Sequence, residues 1–368
     1  MIYPTFLKDG DRIGYVAPSF GAVMEPYATR FKAAADNFDA MGYANVVGAN
    51  VYKDDGIGKS TTARACAEEI NDFFINDRSD IILSVGGGET MCEDLNFIDF
   101  TGIARAAASG NAKWYMGYSD NTNLTFPLAT ICDIASIYGP CAPSFGMEIW
   151  HESLKDAYAF LRGEKHSFTN YEGFELPDEQ TEEEYAANPL KPYIINTPAS
   201  LDIHLPGYPQ LPLYDISFSG RMIGGCLDCL TALCGTKFDA VAQRNKYFGV
   251  DAFADRYADD GIIWYIESCE LSPIGVLRAL WQLDAAGWFK NVNGFIIGRP
   301  MTYGQEAFGL DHKKAVASVL DKYHVPIIFN ADIGHIPPAM PIVNGAMAEI
   351  SFKKDINTTQ LNYNVLTK

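Results

Sequence analysis

The run "KWYMGYSDNTNLTFPL" occupies Lys113 to Leu128. Its first half is apolar and aromatic. Gly117, Ser119, Asp120, Asn121 and Thr122 then interrupt it, with Tyr118 the one large side chain among them, and apolar residues resume. This is the pattern of a buried strand that turns into a helix. A small hydroxyl residue at such a junction has two readings. Ser119 caps the helix, or it is a nucleophile lifted at a sharp turn on the carboxyl edge of a sheet. Asp120 fits a helix cap under either reading. "GYSDN" lacks the second glycine of the G-x-S-x-G elbow, which disfavours an α/β-hydrolase esterase.

The flanking sequence alternates strand and helix. "RIGYVAP" (12–18), "NVVGANVY" (45–52) and "DIILSVGGG" (80–88) read as strands. "EPYATRFKAAADNFDAMG" (25–42), closed by Gly42, and "STTARACAEEINDFFIN" (60–76) read as helices. Strict alternation implies a parallel sheet covered on both faces. It returns after residue 213 with "YDISFSGRMIGG", "GIIWYIES" (261–268), "VNGFIIGR" (292–299), "VPIIFNADIGH" (325–335) and "AMAEISF" (346–352) as strands. "CLDCLTALCG" and "PIGVLRALWQLDAAG" (273–287) are helices between them. The expected fold is α/β with two domains. A flavodoxin-like domain (1–165) carries Ser119, and a smaller α/β domain spans 214–368. The segment 166–213 is rich in Pro, Tyr and Glu, and reads as a linker or as a loop lining the mouth of the site.

Length and composition narrow the function. The 368 residues exceed one ordinary core. A formal charge of −18 without basic clusters argues against nucleic-acid binding. No apolar run approaches a membrane span, and "MIYPTFLKDGDRIGYVAP" lacks the features of a signal peptide. A cytoplasmic location is expected. Two motifs are set aside. "GIGKST" (56–61) ends like a phosphate loop, but Lys53 stands where the first Gly belongs, and Asp54 and Asp55 would repel phosphate. Ser60 or Thr61 as a helix cap explains it better. Cys226 and Cys229 form a C-x-x-C pair, but no second pair or His follows nearby, so no metal is expected.

A serine nucleophile needs a base and an orienting acid. His335 ends an apolar strand, follows a Gly and precedes the stiff "IPPAMP"; the other five histidines read as surface or packing residues. Glu267 follows five apolar residues at a strand end, where a carboxylate is costly to bury without a partner. Glu270 is the alternative acid. Gly86 or Gly87, in "SVGGGET", can bring a backbone N–H close to a ligand, and the Asp120 N–H faces the same spot at a helix start. The sharp turn predicts a strained Ser119, with φ near or above zero.

Together "GYSD", "YIES", "LRALWQLDAAGWFKNVNGFIIGRP" and "GHIPPAMPIVNGA" resemble the serine LD-carboxypeptidases, from about Asp11 to Ile350. That family includes muramoyl-tetrapeptide carboxypeptidases of peptidoglycan recycling and microcin C self-immunity peptidases. The resemblance implies a Ser119–Glu267–His335 triad split across two domains, with Asp120 and Gly87 amides as oxyanion donors. It implies cleavage of an amide beside a free carboxylate or similar acidic group, with a small peptide or peptide-nucleotide as substrate and no cofactor. A homodimer is the expected assembly. The segment 166–213 and the extra stretch 240–260 depart from the usually shorter tetrapeptide enzymes, and length and the "GYSD" form lean toward the microcin-immunity branch. The Trp of that branch's loop has no counterpart in "TPASLDIHLPGYPQ".

Overall fold

The computed structural model describes residues 1–207, 214–354 and 359–366. Among them, strands Arg12–Val16, Ala44–Val47, Ile81–Ser84, Trp114–Gly117 and Ser136–Tyr138 pair in parallel, in the spatial order 2-1-3-4-5. That is the flavodoxin-like order, which opens its crevice at the carboxyl edge. A sixth strand, Ile342–Asn344, arrives from the other end of the chain and pairs antiparallel with Ser136–Tyr138. The inner strands Ile81–Ser84 and Trp114–Gly117 are buried throughout, as a sheet covered on both faces requires.

The covering helices follow from their spacing. Helix Ala63–Ile75 buries Cys66, Ala67, Ile70, Phe73 and Phe74 on one face. Its cap is Thr62, whose hydroxyl accepts from Ala65 N–H, rather than Ser60 or Thr61. The hydroxyl of Ser60 instead donates to the Ala17 carbonyl, 2.6 Å away. Lys59, which a phosphate loop would aim at its ligand, is buried and paired with Asp94 and Glu93 at 3.0 Å.

Among the described residues, the second sheet has eight strands. Tyr214–Cys226, Ile262–Glu267, Val292–Gly298 and Ile327–Ala331 form its parallel centre. Met347–Lys354 and Thr359–Leu366 extend it antiparallel on one side. The segment 166–213 supplies its two outer strands, Ser167–Thr169 and Asp202–His204, and a helix, Glu179–Ala187, started by an Asp178–Thr181 capping box. Part of the Pro-rich "LPGYPQLPLY" falls on 208–213, outside the described residues.

The sheets share their packing. Phe126, on helix Thr122–Thr130 of the first half, stacks on Trp288 of the second at 5.2 Å between ring centroids. Thr122 Oγ1 accepts from Cys226 N–H at 3.0 Å. This shared core holds the carboxyl edges of the two parallel sheets against each other. No helix among the described residues is long and apolar enough to cross a membrane.

Candidate active site

Ser119 follows strand Trp114–Gly117 with φ of 65°, in the left-handed region that costs a non-glycine residue about 1–3 kcal/mol. The surrounding side chains account for the strain. Asn121 turns back under the bend, donating to the Gly86 and Tyr118 carbonyls at 2.9 Å each and accepting from the buried Tyr115 hydroxyl. Gly117 makes room for it, since a Cβ there would lie 2.7 Å from Asn121 Cγ. The Asp120 carboxylate accepts from Ser19 Oγ at 2.6 Å, Met91 N–H at 2.9 Å and Asn123 Nδ2 at 2.8 Å. Neither Ser119 nor Asp120 makes the capping bond expected of a helix start. Asp120 ties the turn to the loops after the first and third strands instead.

The second half contributes two groups. Glu267 ends strand Ile262–Glu267 and is buried. Its Oε2 lies 2.8 Å from His335 Nδ1. His335 Nε2 lies 2.7 Å from Ser119 Oγ. Residues separated by 216 positions are thus in hydrogen-bonding contact. An ionised carboxylate only accepts, so Nδ1 carries the proton and Nε2 of the neutral ring accepts from the serine hydroxyl. Burial would raise the Glu267 pKa, but the His335 charge and bonds from His335, Tyr138 and Cys226 hold it below the ordinary glutamate value. Burial would lower His335; the Glu267 charge, with bonds to Cys269 and Glu267, raises it well above the ordinary histidine value. Glu270 is exposed, and its N–H donates to Asp228 at 3.1 Å.

The glycines at this point are steric requirements. A Cβ on Gly334, whose φ is 104°, would sit 2.5 Å from Glu267 Oε2. A Cβ on Gly87 would sit 3.0 Å from Ser119 Cβ, so the Gly87 backbone lies directly against the serine. Gly86 N–H turns onto Ser84 Oγ at 3.4 Å, leaving Gly87 as the glycine facing the serine. Sequence reasoning missed two supports. The Tyr138 hydroxyl accepts from Ser119 N–H at 3.0 Å and donates to Glu267 Oε1 at 2.5 Å. Buried Arg299 donates to the Ile336 and Pro338 carbonyls and pairs with Asp332 at 2.7 Å, pinning the loop after His335. "GRP" at a strand end was its only trace. The remaining histidines lie elsewhere; His151, for example, caps helix Glu152–Leu161. Cys226 pairs in register with Glu267, and Cys229 Sγ lies 3.7 Å from the Ser119 carbonyl oxygen.

Ser119 and His335 open on a cavity of about 620 Å³, a size suited to a small ligand. Glu175, Pro177, Tyr185 and Tyr193, from the 166–213 segment, line its wall with Phe20, Met24 and Tyr27. Among the described residues, Arg30 is the one lysine or arginine in that lining.

Residues 13–139 match the LD-carboxypeptidase N-terminal domain and residues 219–350 the C-terminal domain. The microcin C7 self-immunity protein MccF of Escherichia coli is 25% identical over 362 residues, covering 96% of this chain and 94% of that protein. An MccF-like protein of Bacillus anthracis superposes with a TM-score of 0.76 at 21% identity, over the full length of both chains. MccF in complex with aspartyl sulfamoyl adenosine superposes with a TM-score of 0.75 at 22% identity, covering 99% of this chain and 98% of that one. Both halves of the fold, and the sequence along them, place this chain in the LD-carboxypeptidase family.

Proposed function

We propose that the chain is a serine peptidase that hydrolyses an amide near the C-terminal end of a small peptide-like substrate through an acyl-enzyme. The observation that carries this reading is the unbroken relay from Glu267 through His335 to Ser119 at the wall of the cavity. His335 takes the Ser119 proton as Oγ attacks the carbonyl, and Glu267 orients the ring and stabilises the imidazolium. The Ser119 N–H is engaged by Tyr138, so the oxyanion falls to the N–H groups of Asp120 and Gly87. Each such donor contributes roughly 10²–10³ in rate. His335 then protonates the leaving amine and activates the water that frees the acyl group. In this reading 1–165 carries the nucleophile, 214–368 carries acid and base, and 166–213 walls the mouth.

A second reading within the family has its own support. The MccF likeness spans nearly the whole chain, and that protein is known in complex with aspartyl sulfamoyl adenosine. Tyr27, Tyr185 and Tyr193 would offer a base the stacking surface of an aromatic wall. The substrate would then be an aminoacyl- or peptidyl-nucleotide conjugate. A panel of L,D-, D,D- and L,L-peptides with aminoacyl-sulfamoyl adenosines separates the two, and fluorophosphonate labelling of Ser119 separates enzyme from inert binding module. Neither labelling nor turnover of any panel member would leave the binding module standing.

A further inference from the structure

Tyr138 ends strand Ser136–Tyr138 of the first sheet, while Glu267 ends a strand of the second. Its hydroxyl, buried between them, accepts one hydrogen bond from the nucleophile's backbone and donates one to the orienting carboxylate. A phenol has one proton to give. Burial and the adjacent Glu267 charge push its pKa well up, so that proton stays in place. The ring is fixed as firmly as the hydroxyl, lying 5.5 Å from Tyr265 and 6.5 Å from Tyr118 between ring centroids. Among the described residues, His335 is the other side chain bonded to both Ser119 and Glu267, and it meets the serine at Oγ; the Tyr138 hydroxyl meets the serine at its backbone N–H.

We infer that Tyr138 is a positioning residue of the hydrolytic reaction. It holds Ser119 in its left-handed conformation and sets the basicity of the Glu267–His335 pair from the far side. The inference rests on the Ser119–His335–Glu267 reading proposed above. The two bonds have separate consequences. The bond from Ser119 N–H keeps that amide out of the oxyanion site and helps fix the direction of Oγ. The bond to Glu267 Oε1 stabilises the pair in its net-negative state, in which the carboxylate is ionised and the ring neutral. Without it the pair takes up a proton more readily, so the imidazole titrates at higher pH.

Of the other ionisable groups around the pair, Cys226 also acts on Glu267 in this direction, as a thiol and so a weaker donor than the phenol. Cys226 on the neighbouring strand, Cys229 on the helix after it, Tyr265 on the Glu267 strand and Tyr118 beside Ser119 are neutral near pH 7. Cys269 bonds to His335 rather than to Glu267, and Glu89 adds a second negative charge facing His335.

The test is Tyr138→Phe in the full-length chain, which keeps the ring and removes only the hydroxyl. With ¹⁵N-histidine labelling, His335 should titrate about one pH unit higher than in the native protein. Acylation by a fluorophosphonate at neutral pH should slow by about tenfold. For any cleaved conjugate, kcat should fall while KM holds. Installing 3-fluorotyrosine at position 138, a stronger donor in the same place, should move the His335 titration the opposite way. Circular dichroism controls for folding, and the fluorinated protein carries the test if the Phe variant misfolds. An unmoved His335 titration in either protein, with Ser119→Ala inert, overturns the positioning role and leaves the hydrolase reading intact. Native-level turnover by Ser119→Ala overturns both.

Discussion

Two short turns in the first half are built from similar residues and end differently. "GIGKST" (56–61) and "GYSDN" (117–121) both combine glycine, a hydroxyl and polar side chains just before a helix. In the first, the lysine and the serine are consumed within the protein. Lys59 is paired with Asp94, Ser60 bonds to the Ala17 carbonyl, and Thr62, just after the stretch, caps the helix. In the second, Asp120 and Asn121 are consumed in the same way, and that consumption strains the backbone and leaves Ser119 Oγ against His335 at the wall of a cavity. Motif composition does not separate the two. What separates them is which polar atoms the fold leaves for a ligand.

The largest test of this contrast is Ser119→Ala. It should abolish acyl-enzyme formation, lowering kcat by roughly 10⁶, as expected when nucleophile and base act as one unit. The double variant with His335→Ala should be little worse than either single change. Specificity constants on a cleaved panel substrate, with circular dichroism for folding, check this; native turnover by Ser119→Ala would make the second turn as inert as the first.

Glu267→Gln should be milder, a loss of roughly 10⁴ in kcat, and it should reshape the pH profile. His335 must be neutral to act as base, so activity rises with pH through its folded pKa. That pKa is raised by Glu267 against the opposing effect of burial. Removing the charge should therefore move the acid limb to lower pH. A pH–rate profile of the variant that kept the limb in place would take Glu267 out of the relay.

Lys59→Met should instead act on stability. It leaves Asp94, fully buried and pushed up to about 7 even with its partner present, without its cation. Breaking such a pair costs about 3–5 kcal/mol, to be read in denaturant unfolding, while turnover per folded molecule should hold. A large loss of turnover at undiminished stability would give the first turn a role in function. Smallest is Thr62→Ala, which should cost about 1 kcal/mol of stability through its lost cap and leave kinetics unchanged.

Much of this was legible locally. The alternation of strand and helix follows from periodicity, and so do the helix ends at Gly42 and Gly287, which take positive φ. The left-handed backbone at Ser119 was readable from the abruptness of its turn. The choice of cap one residue late, at Thr62, was a matter of which hydroxyl the Ala17 carbonyl, just past the first strand, claimed, and no local pattern records that. Arg299 and Tyr138 read as an ordinary strand-end basic residue and an ordinary core aromatic. Their partners lie 31–39 and 19–129 positions away.

By itself the sequence determined the α/β class, the placement of Ser119 and Glu267 where strands end, and the strain at the serine. These depend on side-chain period, turn chemistry and the cost of burying a carboxylate, all of which act over a few residues. The sequence carried the strand before His335 too far, since that strand stops at Ala331 and His335 lies in the loop beyond it. Only the tertiary structure decided that Glu267 rather than Glu270 meets His335, that Gly87 rather than Gly86 faces the serine, and that Ile342–Asn344 crosses over to complete the first sheet. It also decided that Tyr138 joins the two halves of the site. These outcomes turn on ångström-scale contacts between segments up to 216 positions apart. Such contacts are fixed when two sheets pack edge to edge around a shared core, and short-range sequence patterns carry no information about them.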